Sequence, residues 1–176
     1  EVPAYRRIVW GQPKSIQATP VEQKMRFNNV TLTTFETPGH SFDHVSYLID
    51  DIMFMGDLVT NPTPVIIMKE EDYIDLIDSL KMVMNLDFKT AYGGHGAWDK
   101  KGIKVALDNM SKLKKKIDML QNMGLSVEQI VEKVFSNVPK KVLLMEEMSE
   151  HEWSRRNLVE SLLGMRHKSD SLSENR

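Results

Sequence analysis

Apolar and polar positions alternate in several short stretches of the first hundred residues. Alternation over four to eight residues is typical of a half-buried β-strand. The predicted strands cover 30–35, 45–49, 52–55 and 88–92. Only Asp50-Asp51 separates the second stretch from the third, and adjacent Asp residues favour a tight turn. The pattern therefore predicts a hairpin at this point.

The rest of the chain has apolar residues at helical spacing. Predicted helices cover 70–85, 103–123, 126–135, 139–148 and 149–163. Glu70, Glu71 and Asp72 would lie in the first turn of the first helix, where the helix dipole favours negative charge. Gly124 would end the long helix, and Ser126 with Gln129 forms a capping box that opens the next one.

These elements divide the chain into three parts. Residues 1–102 hold the strands and one helix, after an irregular segment over 1–29 that Pro3, Pro13 and Pro20 interrupt. Residues 103–167 form a helical subdomain. Residues 168–176 are polar and are expected to be disordered. The fold class is therefore α/β, of the α+β kind.

Composition narrows the class of protein. The chain has 176 residues, of which 41% are hydrophobic and 27% charged, with a net charge of -2 and no Cys. The length suits one ordinary domain. The absence of Cys excludes disulfides and thiolate metal sites, so any metal ligands must be His or carboxylate. No apolar run reaches the roughly 20 residues of a membrane span, and we expect a cytoplasmic protein with no membrane contact.

A basic run, Lys112 with Lys114–Lys116, lies on the predicted long helix. A solvated helix face explains this run, and the nearly neutral chain does not favour nucleic acid as a partner. Contact between these lysines and an RNA backbone remains the alternative.

Three predicted strands end in a turn that carries a potential metal ligand. His40 follows Thr37-Pro38-Gly39, Asp57 follows Gly56, and His95 lies within a run of glycines. Strand ends are common places for active sites, and imidazole with carboxylate suits zinc, iron or manganese. The pattern indicates a metal or acid–base site, although ordinary turn hydrogen bonds would also explain it. His44 has two readings of its own: a hydrogen-bonding partner that supports His40, or a structural residue that bonds the turn backbone.

The three motifs, in this order and at these intervals, resemble the second half of a metallo-β-lactamase-fold hydrolase. The resemblance covers residues 25–97, and it extends less closely to a helical tail over 104–164. It implies that residues 1–102 form half of an αββα sandwich. It also implies two metal ions in the complete site, zinc or alternatively iron or manganese.

The resemblance also implies roles for the three residues. His40 would complete the ligand set of the first metal, Asp57 would bridge both metals, and His95 would bind the second. A bridging hydroxide would attack a small-molecule ester, thioester, lactam or phosphodiester. Asp57 is then the residue most directly linked to catalysis.

The sequence departs from this family in one respect. The His-x-His-x-Asp-His cluster that supplies the remaining metal ligands is absent from these 176 residues. We therefore expect the metals to be held incompletely or to be absent from this chain alone. The N-terminal half of the fold, or a second copy of the chain in a dimer, would complete the site. The alternatives are a non-catalytic half-domain with a role in assembly and an RNA-processing member of the superfamily.

Overall fold

The structure is a computed structural model that describes residues 4–11, 14–20 and 22–165. The predicted disordered tail, 168–176, lies outside the described residues. The helices are α1 (Ala4–Trp10), α2 (Tyr73–Met84), α3 (Lys100–Asn122), α4 (Val127–Val134), α5 (Lys140–Met148) and α6 (Arg155–Leu162). The strands are β1 (Lys24–Phe27), β2 (Val30–Glu36), β3 (Val45–Ile49), β4 (Ile52–Gly56), β5 (Ile67–Met68), β6 (Thr90–Gly93), β7 (Gly96–Trp98) and β8 (Trp153–Ser154).

A six-stranded sheet organises the first part of the chain, in the order β1-β2-β3-β4-β6-β7. Neighbouring strands are antiparallel except β4 and β6, which run parallel because α2 crosses over between them. The carboxyl ends of β4 and β6 therefore meet at one edge of the sheet. The predicted two-residue hairpin turn is present, with Ile49 paired to Ile52 across it.

The two faces of this sheet differ in burial. Met53, Met55 and Ala91 point to one face, where they are fully buried in the core. Phe54 and Tyr92 point to the other face, where 40% and 47% of their surface is exposed and their rings stack at 5.9 Å. One face of the sheet is thus covered by helices, and the opposite face carries exposed aromatic side chains.

The tail helices pack onto the same core as the sheet. Ile103 and Ile117 of α3, Ile130 of α4 and Leu158 of α6 are fully buried in one hydrophobic cluster with Met53 of β4. Strands β5 and β8 pair with each other and connect the tail to the first part of the chain. The division at residue 102 stays a prediction. Within the described ranges, no helix combines the length and apolarity needed to cross a membrane.

Several elements differ from the sequence prediction. The segment expected to be irregular contains α1 and β1, and the short strands β5, β7 and β8 are additional. The last helix begins at Arg155, because Glu150 and His151 have φ values of 52° and 65°, which a right-handed helix cannot include.

Helix α2 also begins later than predicted. Its first residue is Tyr73, and the side chain of Asp72 caps it by accepting bonds from the backbone N–H groups of Ile74 and Asp75. Glu70 and Glu71 therefore precede the helix instead of forming its first turn. This leaves the Glu71 side chain available for another contact.

Candidate metal centre

The three predicted ligands lie together at the edge of the sheet where β4 and β6 end. His40 is in the loop between β2 and β3, Asp57 directly follows β4, and His95 is in the turn between β6 and β7. The parallel pairing of β4 with β6 places Gly56 beside Gly93, which brings the residues that follow them close together. The tertiary structure therefore collects side chains that are 55 positions apart, from His40 to His95, in the sequence.

The carboxylate of Asp57 lies between the two imidazoles. His40 Nε2 is 3.7 Å from Asp57 Oδ2, and His95 Nε2 is 3.8 Å from Asp57 Oδ1. Zinc binds these atoms at about 2.0–2.2 Å, so two donors on one ion lie roughly 3.4 Å apart. Each oxygen of Asp57 thus forms, with one imidazole, a pair of donors at nearly the spacing that a metal requires.

Glu71 fixes the orientation of His40. Its Oε1 is 2.8 Å from His40 Nδ1, and its Oε2 accepts a bond of 2.8 Å from the Met68 backbone N–H. A carboxylate can only accept, so neutral His40 carries its proton on Nδ1, which leaves the lone pair on Nε2, the atom that faces Asp57. The bond to Glu71 raises the pKa of His40, while burial of the ring opposes the increase.

The loop that carries His40 is fixed to α2. The Asp72 backbone N–H donates to the Gly39 carbonyl at 2.7 Å, and the Ser79 hydroxyl donates to the Pro38 carbonyl at 2.7 Å. Gly39 has φ = 138°, and a Cβ there would lie 2.5 Å from Leu76 Cα. Only glycine therefore allows the loop to approach the helix this closely.

Gly94 packs directly against Asp57. A Cβ on Gly94 would overlap Asp57 Oδ1. The Gly94 backbone N–H donates to the Gly56 carbonyl at 2.8 Å, which joins the turn that carries His95 to the end of β4. The absence of a side chain at Gly94 therefore allows the turn that carries His95 to lie against the carboxylate.

His44 supports the loop and does not contact Asp57 directly. Its Nδ1 is 2.8 Å from the hydroxyl of buried Thr37, which lies 2.8 Å from the Ser46 hydroxyl. Burial is the main cause that lowers the pKa of His44, and the neighbouring His40 adds to it. A Cβ on Gly56 would lie 2.7 Å from His44 Nε2, so the ring packs on the end of β4. Of the two readings of His44, this geometry matches the turn-supporting one.

The donor set fits part of a metal site. Among the residues that the structure describes, no group of three His, Asp or Glu side chains could hold one ion. The arrangement instead consists of two donor pairs that share Asp57. The tautomer fixed by Glu71 and the chemistry of the donors suit a borderline divalent metal, with further ligands required from outside these pairs.

The sequence analysis missed the contact of Glu71 with His40, because Glu71 was assigned to the first turn of a helix. The two residues are 31 positions apart. The one sequence signal for Glu71 is its position immediately before Asp72, the residue that caps α2. The basic run lies on α3. There Lys114 donates to the Asp118 carboxylate at 2.9 Å and to the Leu162 carbonyl at 3.1 Å.

No known protein-family model matches the chain. An atrochrysone carboxyl ACP thioesterase from Aspergillus fumigatus is 29% identical over 122 residues, which make up 68% of this chain and 32% of that protein. The chain thus spans less than two thirds of this relative.

Two solved structures share the fold. A metallo-β-lactamase superfamily protein from Sulfolobus tokodaii has a TM-score of 0.51 and 20% identity, over 89% of this chain and 59% of that one. A metallo-β-lactamase family protein from Thermus thermophilus has a TM-score of 0.55 and 15% identity, over 85% of this chain and 48% of that one. The mixed α/β architecture and these two structures together show that the chain has the metallo-β-lactamase fold.

Proposed function

We propose that this chain is part of a metal-dependent hydrolase and supplies His40, Asp57 and His95 to its metal centre. The observation that carries the proposal is the position of the two His Nε2 atoms, 3.7 and 3.8 Å from the two oxygens of Asp57. His40 and Asp57 would hold one ion, and His95 and Asp57 the other. Zinc is our first choice because its usual ligands are imidazole and carboxylate, with iron or manganese as alternatives.

The proposed ligands would have separate roles. Asp57 would neutralise positive charge on both sides of the centre, since its oxygens face different imidazoles. His40 would present a fixed lone pair because Glu71 holds its Nδ1 proton. When bound, the ions would lower the pKa of a coordinated water to about 7 and so supply hydroxide as the nucleophile.

A thioester is the substrate class that we favour among ester, thioester, lactam and phosphodiester. The support is the thioesterase relative, which matches 68% of this chain at 29% identity. The matched share of that protein is 32%, so the proposal concerns the class of bond and not a particular acyl group.

The remaining ligands would come from another polypeptide segment, either the N-terminal half of the fold or a second copy of the chain. Two donors for each ion are too few for tight binding. The exposed aromatic face of the sheet supports such a partner, since Phe54 and Tyr92 immediately precede the strand ends that carry the ligands. A segment that covered this face would also reach Asp57.

The test compares metal binding and thioester hydrolysis in the protein expressed from the complete gene and in its Asp57→Asn variant. Asp51→Asn, in the hairpin turn between β3 and β4, is the matched control. We expect Asp57→Asn to lose bound zinc in elemental analysis and to reduce hydrolysis of a short acyl thioester by at least a hundredfold. The control should match the wild type in both. Equal zinc content in the wild type and Asp57→Asn would refute the site, and a non-catalytic role would then explain the chain.

A further inference from the structure

The indole of Trp98 contains an unusual polar atom. Its Nε1 is the one buried side-chain nitrogen or oxygen atom without a hydrogen-bond partner among the residues that the structure describes. A buried N–H that lacks an acceptor costs free energy, and such groups in native proteins are rare. This donor therefore calls for an explanation.

Trp98 lies close to the turn that carries His95. It ends β7, where it pairs with Ala91 of β6, and Ala91 pairs with Met53 of β4. The six-membered ring of the indole packs on the first turn of α3, where a Cβ on Gly102 would lie 3.2 Å from Trp98 Cε3. This part of the ring is therefore held against regular secondary structure.

The N–H edge of the ring lies at the glycines of the turn. A Cβ on Gly93 would stand 3.5 Å from Trp98 Nε1, 2.9 Å from the Gly56 carbonyl oxygen and 3.6 Å from the Gly96 carbonyl oxygen. The indole N–H of Trp98 and the carbonyl oxygens of Gly56 and Gly96 thus lie around the same side of Gly93. The Gly56 oxygen already accepts from the Gly94 N–H. Gly96 pairs with Gly93 across the β6–β7 hairpin, directly follows His95 and has the glycine-specific φ of 148°.

We propose that Trp98 is a positioning residue for His95. Its indole N–H would donate to the Gly96 carbonyl and so hold the turn in which His95 would serve as a metal ligand. A separation of His95 from Asp57 shorter than the present 3.8 Å would move the turn, and the Gly96 backbone has the freedom to bring its carbonyl to the indole N–H. This inference rests on the proposed metal centre and adds to it a residue that sets the affinity of the His95 side.

Trp98→Phe tests the inference because phenylalanine retains an aromatic ring against Gly102 but has no N–H. Trp10→Phe, in the exposed α1 helix, is the matched control for loss of one tryptophan. Zinc affinity of the protein expressed from the complete gene is measured by competition with a chromophoric chelator, and urea unfolding is measured without metal. We expect Trp98→Phe to lower zinc affinity by about fivefold to tenfold, while its metal-free stability equals or exceeds that of the wild type.

A spectroscopic measurement separates positioning from packing. In ¹H–¹⁵N spectra, the indole signal absent from Trp98→Phe identifies Trp98, and we expect it to move downfield and exchange more slowly when zinc is added. A zinc-insensitive indole signal, or wild-type zinc affinity in Trp98→Phe, would overturn the role of Trp98 alone, provided that Asp57→Asn binds zinc more weakly than the wild type. If the wild type and Asp57→Asn bind zinc equally, the metal centre and this inference both fail.

Discussion

Glu71→Gln should change which nitrogen of His40 can bind a metal. Glu71 is 5% exposed and uses one oxygen for the Met68 backbone N–H and the other for His40 Nδ1. Glutamine has a single side-chain oxygen. If its NH₂ group pointed towards Met68, two donors, this NH₂ and the Met68 backbone N–H, would face each other. The amide oxygen must therefore accept from Met68, which leaves the NH₂ group facing His40.

The consequence is a change of tautomer. An NH₂ donor requires an unprotonated Nδ1, so the proton of neutral His40 moves to Nε2, the atom that faces Asp57. A protonated Nε2 cannot ligate a metal. Loss of such a supporting bond lowers metal affinity by about 10- to 100-fold, which corresponds to about 1.4–2.7 kcal/mol. The metal-free protein should lose about 1–3 kcal/mol of stability because a buried charge-assisted bond is removed.

Zinc affinity by chelator competition and the His40 tautomer by long-range ¹H–¹⁵N spectra would check this prediction. Glu70→Gln is the matched control, since the neighbouring Glu70 forms its ion pair with Arg6, whereas Glu71 is the residue that bonds His40. The control should retain affinity within about twofold of the wild type, a difference of less than 1 kcal/mol. A Glu71→Gln variant with wild-type affinity and an unchanged Nδ1–H tautomer would refute the reasoning.

Substitutions at three glycines test the packing around the centre, and Gly96→Ala is the comparison for Gly39→Ala. Gly39→Ala should lower the free energy of unfolding by about 3 kcal/mol or more in urea titrations, since it combines backbone strain with a clash against Leu76. Gly96→Ala has similar strain at φ = 148° but no atom within 4 Å of the new Cβ, so it should cost less, and equal losses would show that the clash is unimportant. Gly94→Ala should reduce zinc affinity at least tenfold because its Cβ would displace Asp57 Oδ1. Wild-type zinc affinity in Gly94→Ala would mean that this oxygen is not a ligand.

Local patterns were the reliable part of the sequence prediction. Strand β3 has the predicted bounds, Val45–Ile49, and the capping box between Ser126 and Gln129 is present with both of its hydrogen bonds. Both depend on residues that are near one another in the chain. The predicted start of α6 was wrong, because Glu150 and His151 adopt a left-handed backbone conformation. Glu and His usually favour other conformations, so the sequence carries no signal for this turn.

The sequence by itself determined which residues could form the centre. His40, Asp57 and His95 each follow a strand and lie beside a glycine, and these short-range signals are complete within a few residues. The sequence also indicated the metallo-β-lactamase fold, which the two solved structures confirm. What it predicted about their roles as metal ligands stays a prediction.

The tertiary structure decided how those residues face one another. The crossover through α2 makes β4 and β6 parallel, and this pairing brings His95 beside Asp57. The hydrogen bonds between the β2–β3 loop and α2 place His40 on the other side of the same carboxylate. The contacts of Glu71 with His40 and of Trp98 with the turn after β6 depend on the same packing. Such contacts join positions far apart in the chain, and no local periodicity encodes them, because they arise only when separate elements share one core.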